Sequence, residues 1–369
     1  MRLTEAAQQT WPPFVLVTGL LLIGIVAHAD GLFDRAGRML ERLPGPPAVL
    51  FAGSVLVVVL VTAVLNLDTA VVFLTPVLVL AARRRKVDER PFLYAAVYMA
   101  NAASLYLPGS NLTNLLVLAH NPASGGMFAA DLLIPALAAT IATAAMLFGL
   151  FSSSLRLGGR SGGGVQIPSD VRPAPARGRR AQPRLGAPGL GALATLAAAV
   201  LTVALKNPAL FVLGVGVLAV SIHVLRGRLE VRSVIKAVGP SVLLTLFLVS
   251  VALGVLARSW DGPAQLLAGA GRWETAAIGA LTAIAVNNLP AAVLLSAHAA
   301  PHPRALLIGL NLGPNLAVTG SLCAYLWIRA ARQVQAAPSI RAFSRYGVVL
   351  ATLAILSALA AASALSAPS

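Results

Sequence analysis

The chain alternates between long apolar runs and short basic segments. Apolar runs cover residues 12–29, 91–107, 128–151, 188–206, 208–225, 238–257, 304–331 and 344–366. A helix that spans a bilayer needs about 20 mostly apolar residues, so each run predicts one crossing. Two further runs, 48–82 and 273–300, are long but broken in the middle. Asn66-Leu67-Asp68-Thr69 interrupts the first and Asn287-Asn288-Leu289-Pro290 the second. A polar break that faces lipid leaves backbone groups without partners, and it is tolerated only where protein or a watery cavity surrounds it. Both runs are therefore read as helical hairpins that enter the membrane and turn back. The alternative, two ordinary spans joined by a surface loop, is left open by the polar positions alone.

The basic residues bear on that choice. With two hairpins, one face of the membrane collects Arg35, Arg38 and Arg42; Arg83, Arg84, Arg85, Lys86 and Arg90; Arg156, Arg160, Arg172, Arg177, Arg179, Arg180 and Arg184; Arg226, Arg228, Arg232 and Lys236; and Arg329, Arg332, Arg341 and Arg345. Only Arg2, Lys206, Arg258, Arg272 and Arg304 fall on the other. Cytoplasmic loops carry the excess of Lys and Arg. The first hairpin then enters from the cytoplasm and the second from outside, and both termini lie outside.

Composition agrees. Of 369 residues, 58% are apolar and 11% charged, less than half of the roughly 25% charged in a soluble domain. That excludes an ordinary soluble enzyme and points to a multi-pass protein of the inner or plasma membrane, with the lipid bilayer as its first partner. The net charge of +16 is explained by the loop asymmetry rather than by nucleic-acid binding, since the basic residues are not interleaved with aromatics. Cys323 is the single cysteine, which excludes a disulfide scaffold.

Residues 152–187 are rich in Gly, Pro and Arg without periodicity and predict a basic, flexible cytoplasmic linker. It divides the chain into a first transmembrane repeat, 1–151, and a second, 188–369. Residues 14–26, followed by Ala27-His28-Ala29, resemble a signal-peptide core and cleavage site. Glu5 offsets Arg2 in the segment before it, and everything downstream is membrane-embedded, so a retained first helix is expected.

The two halves echo each other. After each hairpin comes a helix that is itself interrupted: at Asn101-Ala102-Ala103-Ser104 and Pro108-Gly109-Ser110-Asn111-Leu112-Thr113-Asn114 in the first half, and at Asn311-Leu312-Gly313-Pro314-Asn315-Leu316 and Thr319-Gly320-Ser321 in the second. The predicted architecture is an all-α polytopic membrane protein made of two inverted repeats, each with a re-entrant hairpin and a broken transmembrane helix. Many secondary transporters place discontinuous helices of this kind near the bilayer midplane, where unwound carbonyls and half-helix ends bind ions and solutes.

These motifs resemble the ion transporter superfamily of arsenite permeases, sodium/proton antiporters and citrate or dicarboxylate carriers. The likeness is greatest to the arsenite permease branch. It rests on Asp68-Thr69-Ala70, Leu74-Thr75-Pro76, Asn101-Ala102-Ala103-Ser104-Leu105, Ser110-Asn111-Leu112-Thr113-Asn114, Asn287-Asn288-Leu289-Pro290, Leu312-Gly313-Pro314-Asn315 and Thr319-Gly320-Ser321-Leu322. It runs from about residue 16 to the end. One departure is that Leu67 separates Asn66 from Asp68, where many arsenite permeases read Asn-Asp. In this superfamily the hairpin tips and broken helices form the substrate and ion site, which agrees with the residues' own chemistry. A homodimer is also common in it.

The candidate substrate- and ion-binding residues are Asn66, Asp68, Thr69, Ser104, Ser110, Asn111, Asn114, Asn287, Asn288, Asn315 and Thr319. Asp68 is the one carboxylate inside an apolar hairpin and the candidate for coupling, since an ionisable intramembrane residue is functional by default. The plain alternative for Asp68 and the tip asparagines is helix capping. For the Ser and Thr residues it is a bond to their own backbone. Pro108, Pro290 and Pro314 shape the breaks, and Gly309 and Gly313 predict close helix packing. One buried cysteine makes no three-thiolate arsenic site, and Cys323 reads as apolar filler. His28, His120, His223, His298 and His302 fall near span edges without metal-ligand spacing and read mostly as interfacial. Gly159-Arg160-Ser161-Gly162-Gly163 matches a nucleophile-elbow pattern, but in the basic linker and off any strand-to-helix turn.

The sequence thus predicts a secondary transporter, not an enzyme, without cofactor or metal. Its expected cargo is arsenite or antimonite, moved outward by alternating access. Uphill export needs proton exchange or an ATPase. The chain has no phosphate-cradling Gly-rich loop with Lys, so any ATPase is a separate subunit. The alternatives are a sodium/proton antiporter, with Asp68 titrating, and a citrate-like carboxylate carrier, which would profit from basic tips that are absent here. A membrane-embedded enzyme is the alternative of another class, and no nucleophile–base pair or metal cluster supports it.

Overall fold

The computed structural model describes residues 2–119, 124–156 and 189–364. Every regular element among them is helical. The first half holds α1 (Arg2–Ala29), α2 (Leu32–Arg42), α3 (Pro47–Val64), α4 (Leu67–Arg84), α5 (Arg90–Ala103), α6 (Leu112–Leu118), α7 (Gly125–Leu150) and α8 (Ser152–Arg156). The second holds α9 (Leu190–Ala204), α10 (Ala209–Leu225), α11 (Val231–Val238), α12 (Pro240–Ser259), α13 (Gly262–Ala268), α14 (Arg272–Val286), α15 (Asn288–Leu295), α16 (Pro303–Leu312), α17 (Leu322–Gln333) and α18 (Ile340–Ala364).

Each predicted run is mainly helical where it is described, with breaks after Ala103 and Leu312. Among the described residues, stretches within α1, α3, α7, α11–α12 and α18 are long and apolar enough to cross a membrane. Three short helices, α2, α11 and α13, were not anticipated. They are 7 to 11 residues long and turn only a few side chains inward: Phe33 and Leu40 from α2, Val234 from α11 and Leu267 from α13. A search for 20-residue apolar runs passes over such amphipathic turns. Part of the expected linker 152–187 is helical. Ser152–Arg156 is a helical turn whose Leu155 is buried. Residues 157–187, with the Gly159–Gly163 pattern, lie outside the described residues, as does His120.

Helix α1 belongs to the core, burying Leu16, Leu20, Ile23 and Val26. It packs on α9, α10 and α12, and a Cβ on Gly19 would stand 2.7 Å from the Leu213 backbone nitrogen. Against this assembly lie the two interrupted pairs, α3–α4 with α5–α6 and α14–α15 with α16–α17.

Their contacts follow one pattern in both halves. The first arm of each hairpin packs on the first segment of its own broken helix, α3 on α5 and α14 on α16. The second arm packs on the last segment of the other half's broken helix, α4 on α17 and α15 on α6. The α14–α16 contact is close because small residues face each other. A Cβ on Gly309 would meet the Ala276 carbonyl at 2.1 Å, and one on Gly313 the Ala280 Cα at 2.5 Å. The small-residue pair read from the sequence therefore sets a backbone-to-backbone approach.

The base of the first hairpin is tied shut. Arg85, just past α4, donates to the carbonyls of Leu43 and Gly45, just before α3. Arg83 pairs with Glu89 and donates to the Val334 carbonyl of the α17–α18 connection. The two arms thus begin and end at one level of the molecule.

Candidate functional site

At the first tip the helix stops at Leu65 and restarts at Leu67, with Asn66 extended at φ 176°. No Gly or Pro forces this break. Asn66 makes it worthwhile by capping the new helix, its Oδ1 accepting from the Thr69 N–H at 2.7 Å. Asp68 follows in the first turn of α4, partly exposed, with no hydrogen bond or ion pair among the described residues. Its helix packs on α17, whose first turn carries Cys323. Thr69 is buried, and its hydroxyl has no partner among the described residues.

The second tip breaks for a different reason. A proline ring clashes with the carbonyl four residues back, and for Pro290 that carbonyl is Val286, the last residue of α14. The chain turns at Asn287, whose φ of 77° and ψ of 149° belong to a region that favours glycine. Its Oδ1 accepts from the Leu289 N–H at 3.3 Å, and its Nδ2 donates to the Thr319 carbonyl at 3.2 Å. The Thr319 hydroxyl donates to the Ile284 carbonyl at 3.3 Å. Asn288 is buried and makes no hydrogen bond among the described residues.

The breaks of the two discontinuous helices meet in a buried polar cluster. Asn101 Nδ2 donates to Asn315 Oδ1 at 2.8 Å. Asn311 Oδ1 accepts from Asn111 Nδ2 at 2.6 Å and from the Ser104 hydroxyl at 2.7 Å. Asn311 Nδ2 returns a bond to Asn114 Oδ1 at 2.8 Å. Asn114 Nδ2 donates to the Ser104 carbonyl at 2.7 Å, and the Ser110 hydroxyl reaches the same oxygen. All these side chains are buried. Capping continues here, with Asn111 holding the Thr113 N–H at 3.1 Å and Ser321 the Ala324 N–H at 3.4 Å.

The predicted residues therefore fall into three groups. Ser104, Ser110, Asn111, Asn114 and Asn315 are brought together. Asn287 and Thr319 form a second group, with Asn288 beside them. Asn66, Asp68 and Thr69 form the first tip, and no hydrogen bond among the described residues joins it to the others.

Three residues were missed as site candidates. Asn311 is the hub of the cluster and Asn101 its link to Asn315; among the described residues the buried Thr113 hydroxyl and the Asn101 Oδ1 have no partner. All three sit inside motifs already visible in the sequence. The signal was the asparagine at the matching place in each half. The interfacial reading of the histidines fails at His223, which is fully buried and bonded to Asp30 at 2.9 Å. Among the described residues no group of His, Cys, Asp and Glu could hold a metal ion.

The arrangement offers amide and hydroxyl groups around two helix breaks, one unpaired carboxylate, and no lysine or arginine in the three groups. It can bind a small polar solute or cation without burying a fixed positive charge.

A family model described as citrate transporter (CitMHS) matches residues 4–312. The chain is 27% identical over 381 aligned residues to the arsenical pump membrane protein of Escherichia coli strain K12, covering 96% of this chain and 86% of that protein. The same figures hold for the arsenical pump membrane protein of Shigella flexneri. In fold the chain is similar to the crystal structure of the Alcanivorax borkumensis YdaH transporter. The TM-score is 0.60 at 14% identity, over 99% of this chain and 88% of that one.

Proposed function

The chain belongs to the citrate transporter family and is a multi-pass membrane transporter of the plasma membrane, and from that premise we propose that it exports arsenite or antimonite. The observation that carries this reading is the neutral donor set. At neutral pH arsenite is chiefly an uncharged trihydroxide, a cluster of hydroxyl donors and acceptors. Amides and hydroxyls match it on both counts. The buried oxygens of Thr69, Thr113 and Asn101 that lack partners among the described residues are atoms with capacity to spare. The arsenical pump relatives, similar along nearly the whole chain, favour the same cargo.

In the mechanism we infer, Asn66, Asp68 and Thr69 at one tip and Asn287, Asn288 and Thr319 at the other close on the solute from opposite faces. The two halves act as inverted repeats, and the hairpins shift against α1, α9, α10 and α12 in alternating access. Asp68 carries the coupling proton or faces the coupling cation. The Ser104–Asn111–Asn114–Asn315 cluster, with Asn101 and Asn311, holds the half-helices in register and contributes polar atoms at their ends. A homodimer and a separate ATPase subunit remain partners to test.

The family model's description favours a second reading, a citrate-like carboxylate. Citrate carries several negative charges, and the three groups offer no Lys or Arg to meet them. Sodium/proton exchange through Asp68 is the remaining alternative. The deciding experiment measures arsenite accumulation in sensitive cells lacking their own exporter, beside citrate uptake and sodium-dependent pH change in vesicles. Lowered arsenite accumulation that Asp68→Asn abolishes supports the reading. Citrate or sodium transport without any effect on arsenite overturns it.

A further inference from the structure

Away from the tips, the second hairpin opens at its base onto a cleft of about 320 Å³ lined by Arg272, His302 and Arg304, with Leu359 and Ala362 of α18 as its apolar wall. Helices α14 and α16 run parallel, since Gly309 lies opposite Ala276 and Gly313 opposite Ala280. Their first residues, Arg272 and Pro303, therefore stand at one level, and both N-terminal ends point their free amides the same way.

The charges around the cleft do not cancel. Arg304 donates to Asp131 at 2.7 Å and so is half-spent. Glu274 turns its carboxylate back to the Gly271 N–H. The side chains of Arg272 and His302 make no hydrogen bond or ion pair among the described residues. Arg272 and Arg304 are also two of the five basic residues that depart from the otherwise one-sided charge distribution. Two such exceptions converging on one cleft call for an anionic occupant.

We propose that this cleft is a phosphate-binding site, taking the phosphate of an anionic phospholipid or free inorganic phosphate. Guanidinium forks match phosphate oxygens in pairs, helix N-termini favour the same group, and basic pockets between transmembrane helices take lipid headgroups. Leu359 and Ala362 lie near the end of a helix apolar enough to span the membrane, where the glycerol and first methylenes of a lipid would lie. A bound phosphate bridges α14 and α16, and so clamps the first arm of the hairpin to the first segment of the broken helix.

The test uses the full-length protein in nanodiscs of phosphatidylcholine, with or without phosphatidylglycerol, and inorganic phosphate as a second probe. Thermal unfolding and native mass spectrometry read the result. If the lipid is the ligand, phosphatidylglycerol is retained and raises the melting temperature. If free phosphate is the ligand, inorganic phosphate stabilises the protein in phosphatidylcholine alone. The Arg272→Gln/His302→Gln variant weakens whichever response occurs by about tenfold, the loss of one charge-assisted bond. Should that variant fail to fold, Ser363→Asp places a carboxylate beside the cleft and produces the same weakening. No response of the wild-type protein to either probe overturns the proposal. So does an equal response in wild type and a folded variant.

Discussion

The side-chain amide of Asn101 donates to Oδ1 of Asn315 across 2.8 Å, joining the end of α5 to the break after α16. The two residues are 214 positions apart in the chain and both are fully buried. An amide at such a site is costly if its partner is lost, because the survivor keeps its desolvation and has no water to turn to.

A double-mutant cycle on this pair is expected to show coupling. Asn101→Ala and Asn315→Ala each lower stability by about 1–3 kcal/mol, the cost of a stranded buried amide. The double variant costs less than the sum of the two, with an interaction of about 0.5–3 kcal/mol. Thermal or denaturant unfolding of purified protein in one detergent gives the three differences. Strict additivity would remove the pair as a link between the broken helices.

Asp68 has no hydrogen bond or ion pair among the described residues, so Asp68→Asn strands no partner and preserves shape. The variant is expected at wild-type abundance in the membrane, with gradient-driven transport lost. Facilitated exchange across vesicles without a gradient is expected to survive, because the uncharged tip residues are untouched. Transport that still follows an imposed proton or sodium gradient in Asp68→Asn would take the coupling role away from this residue.

How much of this was legible in the sequence follows from the kind of signal each feature leaves. Spans leave apolar runs, and hairpin tips leave a polar break, so α3–α4 and α14–α15 could be placed to within a few residues. Pro290 announces its own break through the Val286 carbonyl. The Asn66 break needed the asparagine itself as capping group. The amphipathic α2 and α11 leave only a few inward residues and read as loop. Partnership is the part that local pattern does not carry. Asn101 and Asn311 look like their neighbours in the motif, and only three-dimensional packing shows that they bond across the two halves. The burial of His223 is invisible for the same reason, since its partner Asp30 lies 193 positions away.

Asn287 separates backbone strain from side-chain contact. Its φ of 77° suits glycine and penalises alanine. Both Asn287→Gly and Asn287→Ala lose the cap on α15 and the bond to the Thr319 carbonyl. Both are expected to raise the apparent KM for the cargo. The glycine variant relieves the strain that asparagine already bears, so the alanine variant should be less stable than it by about 1–3 kcal/mol. Initial-rate transport and unfolding on the same preparations check the pair of outcomes. Wild-type KM in both variants would remove the second tip from the binding site.

The Asp30–His223 pair predicts a specific acid dependence. Asp30 Oδ1 lies 2.9 Å from His223 Nε2, and Arg228 approaches the same oxygen at 3.4 Å. Its Oδ2 accepts from the Gly191 N–H at 2.7 Å, where α9 begins. Burial alone would raise the carboxyl's pKa, but the Gly191 hydrogen bond, His223 and Arg228 outweigh it and hold it below the usual carboxylate range. The unfolded chain therefore takes up a proton more readily than the folded one. The stabilisation is fully present above the unfolded value of about 4 and is lost as pH falls through the lower folded value. Asp30→Asn is expected to cost about 1.5–3 kcal/mol at neutral pH, the range for a hydrogen bond to a charged group. The gap between wild type and variant should narrow as pH falls below about 4. Melting temperatures of both proteins across that range measure it. A gap that stays constant with pH would mean that the carboxylate's charge does not hold α1, α9 and α10 together, and that the Gly191 bond, which an asparagine oxygen can still accept, does so alone.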